Sequence, residues 1–177
     1  MERQGKPAIE EVPRFYQGYM RLAEGDDVLD ALRRASDRAW RTVERMPPGH
    51  DGFRYAPGKW SIKQIFQHLI DSERIFAYRA LRFARNDATE LPGFEEDAYA
   101  LHADVDHRGF HELMEEHDRV RAATIALFGS FTPAMLARGG RANGQDIGTH
   151  ALGWIIAGHA MHHMKIIHER YLHHGEA

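Results

Sequence analysis

Four segments of the chain repeat apolar residues at the three- and four-residue spacing of an amphipathic helix. They run over about 26–46, 61–86, 106–128 and 149–172. Alternating β-branched stretches are scarce, and no Asn-Gly turn stands between two such stretches. The sequence therefore predicts an all-α protein, with its four long helices packed as an antiparallel four-helix bundle.

Local signals mark the ends of these helices. The Pro-Pro-Gly stretch at 47–49 stops the first helix. Ser61 followed by Gln64 has the capping-box pattern that begins a helix. Gly129 is a suitable break after the third helix. The signals agree with the apolar repeats, so both predict the same four elements.

Long connections separate the four helices. Those at 47–59 and 129–148 are rich in Gly and Pro, and the one at 86–105, with LPGFEEDAYA, is predicted to hold a short helical turn. Residues 1–25 are predicted to pack as an irregular N-terminal arm of a single domain covering 1–177. Long loops at the end of a bundle often line a site.

The fourth helix is apolar on more than one side. This leaves two explanations: the helix is central in the bundle, or it faces a second subunit.

Charge and composition exclude several classes of function. The chain has 23 Lys and Arg against 26 Asp and Glu, and its basic residues are not clustered in a block or stripe. We therefore expect no nucleic-acid partner. No apolar run approaches the roughly 20 residues that cross a bilayer, and the N-terminus lacks a signal-peptide pattern. We therefore expect a cytoplasmic protein without a membrane partner. The absence of cysteine leaves only nitrogen and oxygen ligands for any metal.

Histidines are concentrated in the fourth helix, where GHAMHHMKIIHERYLHH holds six of the thirteen. His159 and His163 are four residues apart, so they share one helix face with the apolar core stripe. Such a pair can bind a divalent cation, although a histidine on an apolar face is often only a hydrogen-bonded core residue. His162 is the alternative to His163, and the core stripe favours His163.

A third ligand must come from another helix, and His68 in WSIKQIFQHLIDSER is the best candidate. Asp71, three residues along, is predicted to accept the free ring N–H of His68 and fix its tautomer. The alternative is that Asp71 pairs with Arg74 or Arg38 at the surface.

The other histidines are interpreted as structural or solvated. His107 and His111 form, with Glu115, a row at four-residue steps on a face of the third helix that points toward solvent. His117 is interpreted as a packed or loop-facing residue. The rest are assigned to the chain end (His168, His173 and His174) or to loops (His50, His102 and His150).

Three stretches in order, YAPGKWSIKQIFQHLIDSER, LPGFEEDAYA and IGTHALGWIIAGHAMHHMKIIHERYL, resemble the DinB-like (damage-inducible, YfiT-like) superfamily. The resemblance covers nearly the whole chain. It implies a four-helix bundle with up-up-down-down connections and a divalent metal held by one histidine of the second helix and two of the fourth. In this chain these are His68, His159 and His163. Relatives are often homodimers, so a homodimer is expected here.

The superfamily includes thiol-dependent enzymes, namely bacillithiol S-transferases and a mycothiol-dependent maleylpyruvate isomerase. In that branch the last helix often reads H-x-x-x-H-R-G-Q, whereas Met164-Lys165-Ile166 follows His163 here. This difference from the family pattern puts a thiol substrate in question but does not affect the three metal-ligating histidines.

The expected chemistry follows from three neutral imidazoles around one divalent ion per chain. Zinc and nickel suit such a site best, and iron and manganese are further options. An open coordination position favours a transferase, thiol-dependent or not, or a hydrolase acting on a small molecule, with bound water or a thiol as nucleophile. Tyr99 and the 91–100 loop are predicted to border the pocket. The alternative is a stress-related binding or scaffold protein with a structural metal or none.

Overall fold

A computed structural model of the chain describes residues 5–172. Its four long helices are α2 (Val28–Val43), α3 (Ile62–Ala84), α5 (Phe110–Gly129) and α7 (Thr149–Ile166). A π-helical turn, Ile167–Leu172, continues α7. The predicted four-helix bundle is thereby confirmed, with helix ends that differ from the predicted ones by a few residues.

Shorter elements fill the arm and the connections. They are the helices α1 (Gln17–Leu22), α4 (Glu96–His102) and α6 (Pro133–Leu136), the strands β1 (Gly139–Ala142) and β2 (Gln145–Gly148), and the 3-10 turns Ile9–Glu11, Arg14–Tyr16, His50–Gly52 and Val105–His107. The helix α4 is the short turn predicted within 86–105. Within residues 5–172, none of the helices is both long and apolar enough to cross a bilayer.

Side-chain caps explain where two of the long helices begin. The Ser61 hydroxyl accepts a hydrogen bond from the Gln64 backbone N–H at 3.2 Å, and the Gln64 side chain accepts one from the Ser61 N–H at 3.0 Å. This is the predicted capping box at the start of α3. At α2 the Asp27 carboxylate accepts the Asp30 N–H at 2.8 Å, which satisfies a backbone donor that the helix leaves unpaired.

The long connections are explained by the order of helices around the bundle. Both α2 and α3 pack against α5 and α7, which places α2 diagonally opposite α3 and α5 diagonally opposite α7. A chain that passes between diagonal corners needs a long crossover. The segments 44–61 and 130–148 supply it.

The helix α7 is the central element of the fold. Residues 151–160 form an unbroken buried run, and α7 packs against α1, α2 and α3. Its apolar character on several sides is therefore explained by cover from its own chain. The apolar surface of α7 therefore no longer supports a homodimer, which stays a prediction.

We predicted an irregular N-terminal arm, and this is wrong in part. Residues 17–22 form the helix α1, which packs against α7. Gly158 permits this contact, since a Cβ there would lie 1.9 Å from the Tyr19 carbonyl oxygen. The Lys6 ammonium donates to the carbonyls of Met20 and Ala23, at 3.0 and 2.9 Å, at the end of α1. The sequence hid α1 because one and a half helical turns are too short to show a repeat.

The predicted all-α class is correct, but the sequence analysis did not locate an antiparallel hairpin of β1 and β2 in the connection between α5 and α7. Its turn is Asn143-Gly144, both at positive φ (51° and 69°), as type I′ hairpin turns require. The strand residues GGRA and QDIG are not β-branched apart from Ile147, so only the Asn-Gly pair signalled the hairpin. Leu91 pairs with Ala142 at its edge, so the hairpin fixes the segment that enters α4.

Candidate metal centre

Three imidazole rings converge where α3 packs against α7. The Nε2 atom of His159 lies 3.0 Å from Nε2 of His68 and 3.1 Å from Nε2 of His163. All three nitrogen atoms lie within 4.8 Å of one another. The pair on α7 is aligned by its four-residue step, and His68 reaches it from the neighbouring helix.

The spacing of these nitrogens suits a divalent metal ion. Each Nε2 atom of a neutral imidazole has either one proton to donate or one lone pair that accepts. The Nε2 atom of His159 can therefore form a hydrogen bond with only one of its two neighbours at a time. A single cation between the three atoms would use the lone pair of each. Metal–nitrogen bonds of about 2.0–2.1 Å place two ligand atoms about 2.9 Å apart at a right angle and about 3.4 Å apart in a tetrahedron. The two short separations are close to that range.

Burial keeps the three rings in the form that binds metal. His68 is 4% exposed and His159 is 5% exposed. Desolvation lowers the pKa of His68 to about 4, opposed in part by Asp97. Desolvation also lowers the pKa of His159 and of His163 well below the usual 6.5, and the neighbouring rings add to the effect. At neutral pH the rings are uncharged, with lone pairs available.

The prediction that Asp71 orients His68 is wrong. The Asp71 carboxylate accepts a hydrogen bond from the Gln67 side chain at 2.9 Å and lies 3.9 Å from the Arg74 guanidinium. The surface alternative with Arg74 was thus the better one. The Nδ1 atom of His68 instead faces the Ser72 hydroxyl at 3.4 Å, because the residue four positions along lies nearer the same helix face.

Aromatic rings enclose the cluster. The Trp60 ring lies 4.8 Å from the His68 ring, centroid to centroid, and stacks on His163 at 6.4 Å. The Tyr19 ring lies 5.1 Å from His159 and 5.3 Å from His162. His162 thus packs on Tyr19 outside the cluster, which agrees with the choice of His163 over His162.

A cavity of about 230 Å³ opens beside His68 and His159. Its walls come from the N-terminal arm, α3, the start of α4 and the hairpin turn; the lining residues besides the two histidines are Phe15, Tyr16, Tyr19, Ser72, Phe76, Arg79, Phe94, Glu95, Glu96 and Asn143. Part of the predicted 91–100 segment therefore borders it. Tyr99 does not line this cavity; it packs on Phe94, with 5.1 Å between ring centroids, and lines two neighbouring clefts.

Comparison with known proteins supports the resemblance noted in the sequence. The model of the DinB superfamily matches residues 31–167. The chain belongs to the DinB superfamily. Among solved structures it is similar to YfiT from Bacillus subtilis, described as a probable metal-dependent hydrolase with an unusual four-helix bundle topology. That match has a TM-score of 0.71 and 18% identity and covers 98% of this chain and 95% of YfiT. No curated protein matches the sequence significantly.

Several cavity residues of this DinB-superfamily chain escaped the sequence analysis. Ser72, Phe76 and Arg79 follow His68 at steps of four, four and three, so all four share one face of α3. The sequence did contain a signal for them: Ser72 and Arg79 are polar residues on the same helix face as the candidate ligand His68. Tyr19 carried no such signal, because the arm shows no periodicity.

Among the described residues, no other histidine joins the group of three. His111 is 79% exposed beside Glu115, and His107 is exposed as well. His117 is fully buried in the core, against Phe66. His173 and His174 lie outside the described residues.

Proposed function

We propose that this DinB-superfamily protein is a hydrolase that depends on one divalent metal ion held by His68, His159 and His163. The observation that carries the proposal is the convergence of three imidazoles, of which His68 and His159 are buried and line a cavity while His163 is half-buried beside them. Among residues 5–172, no fourth histidine, aspartate or glutamate joins the group. Three protein ligands with an open position are the pattern of catalytic zinc sites, whereas structural sites have four.

The similarity to YfiT supports the same reaction class, since YfiT is described as a probable metal-dependent hydrolase. Three imidazoles suit zinc or nickel better than magnesium or calcium, which prefer oxygen ligands. When bound, the ion would supply Lewis acidity and a water of lowered pKa.

Glu96 lies where it can transfer a proton during hydrolysis. Its Oε2 atom lies 4.0 Å from Nε2 of His68, on the cavity side of the cluster. Partial burial, together with Asp97 and Glu95, raises the pKa of Glu96 above its usual value. A carboxylate with a raised pKa is a better general base. We assign Glu96 the role of accepting a proton from the attacking water and passing it to the leaving group.

The test is a hydrolysis screen of the purified protein with zinc or nickel added, against esters, amides and phosphoesters of small acids. We expect one class to be hydrolysed, with activity lost on chelation and restored by metal. Glu96→Gln should lower kcat by about a hundredfold or more while the metal stays bound. Glu115→Gln, an exposed carboxylate on α5, is the matched control and should keep full activity.

The same screen, run with low-molecular-weight thiols and electrophiles, addresses the other enzyme class. Turnover that requires a thiol would replace the hydrolase by a thiol-dependent transferase. Activity that persists after complete removal of metal would contradict the role of the histidine cluster. A protein that holds its metal and hydrolyses none of the panel would favour the structural-metal alternative.

A further inference from the structure

Arg79 is a buried cation on the wall of the cavity beside the histidine cluster. It is 3% exposed. Its guanidinium donates one hydrogen bond, to the Pro92 carbonyl at 2.8 Å. Within residues 5–172, no carboxylate lies at ion-pair distance from Arg79. Most of its five N–H donors are therefore left for another partner.

Arg121 shows how this chain treats a buried arginine that has a purely structural role. Like Arg79 it is almost fully buried, but it donates to both carboxylate oxygens of Glu73 at 2.8–3.1 Å and to the Leu32 carbonyl at 2.7 Å. A buried charge without a counter-charge is energetically unfavourable. Arg79 lies at a cavity wall, where an anionic ligand could supply the missing counter-charge and stabilise the guanidinium.

The walls of the cavity limit what that ligand is. The Phe76 ring lies between the two polar groups: its centroid is 5.6 Å from Cζ of Arg79 and 6.1 Å from the centroid of the His159 ring. Tyr16, Tyr19 and Phe94 add aromatic surface. The volume of 230 Å³ is below the range of about 300–1,000 Å³ typical of drug-sized ligands. The cavity therefore suits a small molecule with an apolar body.

We propose that Arg79 binds the carboxylate of a small substrate acid whose apolar part lies against Phe76 and whose reacting group reaches the histidine cluster. A guanidinium pairs with a carboxylate through two parallel hydrogen bonds, which fixes the orientation of the ligand. The inference rests on the proposed hydrolase function and names its substrate class. Glu95 and Glu96 line the same cavity, but both are exposed, so water screens their repulsion more than it screens the attraction of buried Arg79.

Arg79 also tethers the segment before α4 through Pro92, and a purely structural role would need no ligand. Binding of a probe separates the two roles. Phenylacetate is the probe, and 2-phenylacetamide is its uncharged analogue of nearly the same shape. The protein is used as the full chain, first freed of metal with a chelator and then loaded with zinc, and binding is measured by titration calorimetry.

In the metal-free protein we expect phenylacetate to bind roughly tenfold to a hundredfold more tightly than the amide. Arg79→Gln should abolish that difference, and Arg79→Lys should keep part of it because lysine retains the charge without the paired donors. Arg82→Gln, on the same helix but paired with Asp87, is the control and should keep the wild-type ratio. If Arg79→Gln fails to fold, the Arg79→Lys variant carries the test.

Equal binding of acid and amide to the metal-free protein would overturn the inference. So would acid binding that appears only with zinc and is unchanged in Arg79→Lys, because the carboxylate would then bind the metal. The hydrolase proposal fails on different evidence, namely absence of metal-dependent turnover. Selective acid binding in a protein that hydrolyses nothing would leave the Arg79 site intact and remove only the reaction.

Discussion

Two rows of side chains of the kinds that can bind metal, both at four-residue steps, lie in different surroundings in this protein. On α7 the rings of His159 and His163 are turned into the bundle, where Nε2 of His159 lies 3.0 Å from that of His68 and 3.1 Å from that of His163. On α5 the ring of His111 lies 3.5 Å from Glu115 in solvent, with 79% of its side chain exposed. The step is the same, so spacing alone does not make a site. What differs is the presence of a neighbouring helix that contributes a third ligand and excludes water.

The consequence of that difference is electrostatic. In solvent, a pair such as His111 and Glu115 is screened and contributes little to stability. In the cluster, burial keeps the imidazoles neutral and their lone pairs available. Substitutions in both rows should therefore have very different consequences, from complete loss of the metal to a small change in stability.

The largest effect is expected on metal content. His68→Ala or His159→Ala should reduce bound metal from about one ion per chain to near zero, because two imidazoles do not hold the ion without the third. His111→Ala should leave the content unchanged. Elemental analysis of the purified variants measures it, and similar metal loss in all three would remove the distinction between the two rows.

A smaller effect is expected on the pH dependence of stability in chelator-treated protein. The pKa of His68 is lowered to about 4 in the folded chain, from an ordinary 6.5, and that of His159 is lowered as well. The unfolded chain therefore takes up protons first as the pH falls. The free energy of unfolding should decrease between pH 6.5 and about 4, by about 1.4 kcal/mol for each unit of pKa shift.

Urea unfolding at several pH values measures this slope. His159→Gln should make it shallower, since one buried ring no longer resists protonation. His111→Ala should leave it unchanged, since that ring is exposed before and after unfolding. A slope that His159→Gln leaves as steep as in the parent protein would show that other groups cause it.

The smallest effect concerns the contact that closes the cluster on the side of α1. Gly158→Ala would place a methyl group 1.9 Å from the Tyr19 carbonyl, so α1 must shift away from α7. We expect a loss of about 1–3 kcal/mol in the free energy of unfolding. Gly18→Ala is the matched control: it lies within α1 with no atom near the added Cβ, and helix propensity predicts a gain of up to about 1 kcal/mol.

Thermal or urea unfolding of the two variants gives the comparison directly. Equal changes in both would mean that the approach of α1 to α7 contributes nothing to stability. A loss confined to Gly158→Ala would show that the close approach of α1 to α7 contributes to stability.

Much of the fold and the central part of the site could be predicted from the sequence. Helical repeats located α2, α3, α5 and α7, and the faces of two of them selected the three histidines that converge. The misses have a common cause. The contact partner of Asp71, the position of Tyr99 and the burial of Arg79 depend on side-chain direction and on packing between elements distant in the chain, which a repeat within one helix does not encode.

Local sequence is sufficient to specify which segments become helices, because the repeat of apolar residues, the Ser61 cap and the breaks at Gly and Pro act within a few residues. It also places His159 and His163 on one face. Contacts between distant segments put α7 at the centre and closed the cavity with α1 and the hairpin. They also left Arg79 at the cavity wall without a counter-charge from residues 5–172. Those outcomes are set by which surfaces meet across the bundle, and burial there depends on residues far away in the chain.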